Sequence, residues 1–283
     1  MNRSMITATN TMSQLQKQLD MIGNNLANAN TTGYKQREIS FSELLVQQFN
    51  NQSVEENEVA RLTPNGIRQG VGAKLGQTRV NVAQGNLQQT GRMLDLAFTK
   101  EGQYFQVQVQ ENGQELTRFT RDGTFYFSPM ENGSDQVMLV TSEGFPVLDE
   151  NENPIIIDQG FKDIKISENG TVTVVPNDQN GLPQQFNLSV VEVQRPQLLE
   201  SKGGNLLGLP NLEELNIEQQ DVLTFMIDDE RAQIKLQQGA LEQSNVDLTV
   251  EMSELLNTQR SYQFNAKSIS IADQMMGLVN GIR

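Results

Sequence analysis

Apolar residues recur in steps of three and four at both ends of the chain. Near the C-terminal end Leu248, Met252, Leu255, Tyr262, Ala266, Ile269, Ala272, Met276 and Val279 keep one seam in register, with polar Gln259 standing inside it. A helix from Asp247 to Gly281 would be about 50 Å long, far beyond the usual globular helix, and its seam needs a partner. Near the N-terminal end Met5, Ala8, Met12, Leu15, Leu19, Ile22 and Leu26 repeat the pattern and supply one. Thr, Ser, Gln, Lys and Asn fill the positions between, which makes the opposite face polar but lightly charged. Ser4 is placed to cap this helix and Asn30-Thr31-Thr32-Gly33 to stop it, so the predicted span is Ser4 to about Ala29. A shorter helical stripe, Phe41, Leu44, Leu45 and Phe49, leads into a polar, acidic stretch from Asn50 to Glu58.

The period changes to two in the middle. Between Leu94 and Gln194 short runs of Val, Ile, Phe, Tyr and Thr alternate with turns. Asn112-Gly113 divides Tyr104–Val109 from Leu116–Thr120, and Asn169-Gly170 divides Asp163–Ser167 from Thr171–Val175, which predicts two hairpins. Asp122-Gly123 and Asn132-Gly133 mark further turns. Gln84-Gly85-Asn86-Leu87-Gln88-Gln89-Thr90 is echoed by Gln238-Gly239-Ala240-Leu241-Glu242-Gln243-Ser244. Each copy follows an alternating run, Thr78–Val82 and Ala232–Leu236, and these runs are expected to lie side by side as strands. The predicted fold is α+β: an antiparallel, coiled-coil-like pair of long terminal helices with an inserted, mainly antiparallel β domain. Its expected parts are residues 1–45 with 242–283 (helical), 46–76 (connector) and 77–241 (β).

Composition narrows the chemistry. The 283 residues carry a formal charge of -14 and contain no Cys, His or Trp. An acidic chain is repelled by nucleic acid and by anionic membrane surfaces, and no apolar run approaches the roughly 18 residues of a membrane span. The N-terminal stretch also lacks the basic start and apolar centre of a cleavable signal peptide. Without Cys and His there is no thiolate nucleophile, no thiolate or imidazole metal ligand and no general base poised near neutral pH. The glycines of Gly70-Val71-Gly72 and Gly76 have the wrong spacing for a dinucleotide fingerprint, and Lys74 follows no phosphate-loop pattern. Asp149-Glu150-Asn151-Glu152-Asn153 begins like a calcium loop, but Pro154 replaces the turn glycine and Gly160 the bidentate glutamate, so a solvated hairpin tip is expected. Asp228-Asp229-Glu230 has no nucleophile or metal ligand beside it in sequence and reads as a polar exposed loop. No cofactor is called for, and the chain is expected not to be an enzyme.

Two long motifs carry a resemblance. Asn24-Asn25-Leu26-Ala27-Asn28-Ala29-Asn30-Thr31-Thr32-Gly33-Tyr34-Lys35 resembles the N-terminal signature of the flagellar rod and hook family of axial proteins. Gln238-Gly239-Ala240-Leu241-Glu242-Gln243-Ser244-Asn245-Val246-Asp247-Leu248, followed by Glu251-Met252, Gln259-Arg260-Ser261-Tyr262 and Asn265-Ala266-Lys267, resembles that family's other end. Leu94-Asp95-Leu96-Ala97, Arg121-Asp122-Gly123 and Asn169-Gly170-Thr171-Val172 continue the likeness. Where relatives read Gly-x-Gly-Phe-Phe, this chain has Lys100-Glu101-Gly102-Gln103-Tyr104-Phe105, which puts that turn in doubt. The segment Pro64 to Gly72 and the chain length are similar to those of distal rod proteins, with a hook or hook-junction protein as the neighbouring alternative.

The resemblance implies a distal rod subunit of the bacterial flagellar basal body, exported beyond the cytoplasmic membrane by the flagellar type III apparatus and stacked into a helical tube that transmits torque to the hook. It implies copies of itself and other rod and hook proteins as partners, with neither nucleic acid nor membrane insertion. Asn24, Asn25, Leu26, Asn28 and Gly33, with Asn245, Asp247, Gln259, Arg260 and Asn265, are the expected subunit or helix-junction contacts. A different class, a secreted protein that binds or hydrolyses cell-wall carbohydrate, would want an aromatic-lined cleft and a carboxylate pair at a defined separation. A muramidase assay on the purified chain is expected to show no turnover; turnover lost on mutating a carboxylate pair would overturn the structural reading.

Overall fold

A computed structural model describes residues 2–43, 47–49, 67–69, 73–111, 113–130, 136–177 and 182–281. Asn132-Gly133 and most of the Pro64 to Gly72 segment lie outside the described residues. The chain divides into two units. The first comprises Met1–Leu26, Glu38–Thr78 and Leu248–Arg283, and the second Ala27–Arg37 and Arg79–Asp247. The architecture is α+β, and every ladder whose register is described is antiparallel.

In the first unit the N-terminal helix spans Asn2–Ala27. It starts before Ser4, so Ser4 does not cap it. Ala8, Leu15 and Ile22 are buried, and Met5, Met12, Leu19 and Leu26 are half-buried, so the expected stripe is the inward one. The C-terminal helix spans Leu248–Gly281, and its inner line keeps Leu255, Tyr262, Ala266, Ile269, Ala272 and Met276 of the expected seam but departs from it at both ends. Glu251, Thr258 and Asn265 are the further buried or half-buried positions. Leu248 and Met252 are 44% and 54% exposed, and Gln259 lies off the line rather than interrupting it. A carboxylate can occupy the inner line because the side-chain amide of Asn25 donates to Glu251 Oε1 at 3.0 Å. The predicted helical stripe after Arg37 is also corrected. Arg37–Glu43 and Gln47–Phe49 are strands, paired with Ala73–Val80 and Ile67–Gln69. The alternation Ile39-Ser40-Phe41-Ser42 has the period of a strand, while Leu44, Leu45 and the acidic stretch from Asn50 to Glu58 lie outside the described residues.

The second unit is built on a six-stranded sheet in the order Glu200–Gly203, Leu206–Gly208, Gln114–Thr120, Gln103–Glu111, Val190–Val193 and Leu223–Phe225. Two three-stranded sheets accompany it. The hairpins predicted at Asn112-Gly113 and Asn169-Gly170 are present, joining Gln103–Glu111 to Gln114–Thr120 and Phe161–Ile166 to Thr171–Pro176. Alternation along Gln103–Glu111 feeds two cores. Phe105, Val107 and Val109 enter the main one with Phe98, Phe125, Ile157, Leu188 and Ile234, while Tyr104 enters a second with Phe119, Val191, Leu207 and Leu223. Phe105 lies between Phe98 and Phe125, with ring centroids 4.3 and 5.1 Å away. Each such pair adds about 0.5–1.5 kcal/mol beyond its buried area.

The echoed motifs meet, though not as expected. Thr78 and Val80 belong to the strand beside Arg37–Glu43, and Asp228–Gln233 is a 3-10 helix, so the runs preceding the motifs are not neighbours. The motifs themselves pair: Ala240, Leu241 and Glu242 lie opposite Gln89, Gln88 and Leu87. The exposed carboxylates of Asp228-Asp229-Glu230 fall in that 3-10 helix. At the hairpin tip Asp149 accepts the backbone N–H groups of Asn151 and Asn153, at 2.9 and 2.8 Å, so its carboxylate serves the turn. The departing segment before Tyr104 still turns on a glycine, Gly102 at φ 75°.

Tyr104 is fully buried, and among the described residues its hydroxyl has no hydrogen-bond partner. Burial pushes its pKa up to about 12. A buried hydroxyl left without a partner costs about 1–3 kcal/mol, and phenylalanine is the residue the resemblance leads one to expect there. Tyr104→Phe is therefore expected to raise the unfolding free energy by about 1 kcal/mol, read as a higher urea midpoint with an unchanged slope.

Candidate functional site, a buried charged junction

Four segments of the second unit converge on one carboxylate. Gln-Gly-x-Leu-Glu turns into a short strand at Ala240–Glu242, and that strand carries Glu242, 2% exposed, into the interior. Its Oε1 accepts Lys35 Nζ at 2.6 Å and the backbone N–H of Gly85 at 2.9 Å. Its Oε2 accepts Arg121 Nε at 2.6 Å, and its main-chain carbonyl accepts the N–H of Gly33 at 2.8 Å.

The two cations are themselves fully engaged. Lys35 also donates to the carbonyl of Ala83 at 2.7 Å. Arg121 donates through its remaining nitrogens to the carbonyls of Gln103 and Lys100, and its guanidinium lies 4.8 Å from the ring centre of Phe98. The titration of the group follows from one anion serving two cations. Burial alone would raise the Glu242 carboxyl, but the charges of Arg121 and Lys35, with the hydrogen bonds they donate, outweigh it and hold the carboxyl below its ordinary range. Lys35 is pulled below its ordinary value by burial, against the attraction of Glu242 and with the like charge of Arg121 adding to the fall. The shared carboxylate is fully compensated, whereas each cation has only a share of it.

Close backbone approach makes the junction possible. Gly33 sits at φ 69°, and a Cβ there would lie 2.5 Å from the nitrogen of Asp122. A Cβ on Gly85 would lie 2.0 Å from the carbonyl oxygen of Gln243. Asn245 stitches the same segments: its Oδ1 accepts the N–H of Gln36 at 2.7 Å, and its Nδ2 donates to the carbonyls of Asn81 and Ala83 at 3.0 and 2.9 Å.

The expected contact residues separate into distinct surroundings. Gly33 and Asn245 belong to this junction. Asn25 is fully buried in the helical unit against Glu251. Asn28 accepts the hydroxyl of Thr31 at 3.1 Å in the turn after the helix, and Leu26 is half-buried. Asn265 donates to the carbonyl of Ser261 in its own helix. Asn24, Asp247, Gln259 and Arg260 are exposed. Sequence reasoning did not single out Lys35, Arg121 and Glu242, although each stands inside a quoted motif. The available signal was Lys35 as the one charge of its motif, whereas Glu242 shares its motif with Asp247 and Arg121 stands beside Asp122. Among the described residues no group of three acidic side chains is placed to hold a metal ion, and no helix is long and apolar enough to cross a membrane.

Comparison with known proteins matches three family models along the chain. These are a flagella basal body rod protein model at residues 5–35, a flagellar hook protein FlgE/F/G D1 domain model at residues 97–174, and a flagellar basal body rod FlgEFG protein C-terminal model at residues 237–282. The chain is 46% identical to the flagellar hook-basal body complex protein FlhP of Bacillus subtilis over the full length of both. It is 30% identical to the flagellar basal-body rod protein FlgG of Agrobacterium fabrum, covering 98% of each. It is 31% identical to FlgG of B. subtilis, covering 98% of this chain and 97% of that one.

Removing the shared anion leaves two buried cations without compensation, which costs about 3–5 kcal/mol. Glu242→Gln is expected to lower stability by that amount at pH 7, read from urea unfolding. Because the folded carboxyl is held below its ordinary 4.5, the wild-type advantage is complete above pH 4.5 and is lost as the pH falls through the lower folded value. An advantage that persisted undiminished into stronger acid would contradict the ion-pair account.

Proposed function

We propose a role that proceeds from one premise: this chain belongs to the family of flagellar basal-body rod and hook proteins, as a structural subunit. Within that family it is a subunit of the distal rod, one that polymerises with copies of itself and with other rod and hook proteins into a helical tube carrying torque to the hook. It reaches that place through the flagellar type III export apparatus and works without catalysis or a cofactor. Its two terminal helices pack as an antiparallel, coiled-coil-like pair, and their outer faces meet neighbouring subunits.

One observation carries this reading. The C-terminal helix has a second apolar line, turned outward: Val250, Phe264, Ile271 and Leu278 keep a seven-residue register, with polar Asn257 at the one position skipped, and are 48%, 72%, 47% and 70% exposed. Met275 beside it is 45% exposed. Covering a side chain of this size contributes about 1.5–3 kcal/mol, so the line favours association. Heterologous contacts that do not close into a ring extend as a filament. The exposed Asn24, Asp247, Gln259 and Arg260 flank such contacts, while Asn25, Gly33 and Asn245 hold each subunit's own fold. A hook-junction role is the second reading, favoured by the FlhP relative, whose name places it in the hook-basal body complex and does not specify the rod.

Phe264→Asp and Ile271→Asp are expected to abolish incorporation into basal bodies while changing the thermal stability of the purified chain by less than about 0.5 kcal/mol. Normal incorporation of both variants would remove the helix face from the assembly. Immunogold detection of a tagged copy in isolated basal bodies is expected to mark the rod, and signal confined to the hook would replace the rod assignment with the junction one.

A further inference from the structure

We propose that residues Ile234 to Asn245 are the closing piece of the second unit, which reaches its stable fold only when this segment docks, with Glu242 as the group that locks it. Three kinds of contact converge there. Ile234 and Leu236, 1% and 4% exposed, fill the main core. The strand Leu236–Gln238 pairs with Leu96–Phe98, and Ala240–Glu242 pairs with Leu87–Gln89. The side chain of Gln238 accepts the N–H of Ile166 at 3.2 Å and donates to the carbonyls of Met93 and Ile164 at 2.8 and 3.0 Å. Among the described residues, main-chain groups of the earlier segments find acceptors on this piece: Gly33 N–H on the Glu242 carbonyl and Thr99 N–H on the carbonyl of Lys235.

Charge makes the order compulsory. Without Glu242, seating the Gly33–Gln36 segment would bury the ammonium of Lys35 near the guanidinium of Arg121, two like charges with their carboxylate missing. The missing anion comes from far along the chain, 207 residues from Lys35, 157 from Gly85 and 121 from Arg121. The hairpin Gln103–Glu111 with Gln114–Thr120 closes a short loop, and its ladder is made within those two strands, although Gln103 at its open end accepts the N–H of Lys235. Loop-closure entropy therefore lets local hairpins form first, while the long-range junction waits for its last member. A chain whose Ile234 to Asn245 segment has not docked stays unlocked. Every group invoked lies in one unit of one chain, so the inference stands apart from the assembly role.

Pulsed hydrogen exchange during refolding of the full-length chain, read by mass spectrometry, tests the order. The amides of Gly33, Gly85 and Thr99 are expected to gain protection in the same kinetic phase as Gly239 and Gln243, after the amides of the Gln103–Glu111 hairpin. Glu242→Gln is expected to slow that late phase about tenfold or more and leave the hairpin phase unchanged. Protection of Gly33, Gly85 and Thr99 ahead of Gln243 in the wild-type chain would overturn the proposal, whether or not the variant folds. An unchanged late phase in a folding variant would remove Glu242 as the lock.

Discussion

A carboxylate taken out of water loses several kcal/mol of solvation unless other charges and N–H groups replace the water around it. Glu242 has such a replacement in two cations and a backbone amide, and each donor comes from a different stretch of chain. The requirement for full compensation explains why Gly33 and Gly85 are glycines, why Arg121 spends its remaining donors on main-chain carbonyls, and why Asn245 bonds the chain on either side. In the helical unit the buried Glu251 carboxylate accepts the side-chain amide of Asn25.

These couples give physical meaning to the two end motifs. Lys35 with Glu242, Gln36 with Asn245, and Asn25 with Glu251 each join a residue of the first motif region to one of the second. The resemblance was legible because the motifs are long and specific. The pairing between them was not, since partners separated by more than two hundred positions leave no local periodicity to read. Asn25 and Gly33, expected as subunit or helix-junction contacts, each make bonds within the chain that carries them.

Elsewhere legibility followed the strength of the local signal. Hairpins with Asn-Gly turns and alternating flanks were readable because turn chemistry and strand period agree there. The strand Arg37–Glu43 was missed because its alternation is short and runs into apolar residues at helical spacing. The seam of the C-terminal helix was legible from Leu255 to Met276 but misplaced at its start, because hydrophobicity alone cannot recognise Glu251 and Thr258 as inner residues. The repeated Gln-Gly-x-Leu motif was visible, but its two copies pair with each other, in a register that is the same when the copies are exchanged.

The outward line on the C-terminal helix keeps a seven-residue register, broken once at Asn257, whereas a straight α-helix returns to the same face on a slightly different count, drifting by about 20° per heptad. From Val250 to Leu278 the apolar line therefore sweeps through roughly 80° around the helix surface. A straight, rigid neighbour would lose it over the length of the helix. Whatever covers its full length must wind around this helix with a left-handed twist, so the hand of the contact is already written in the spacing of Val250, Phe264, Ile271 and Leu278.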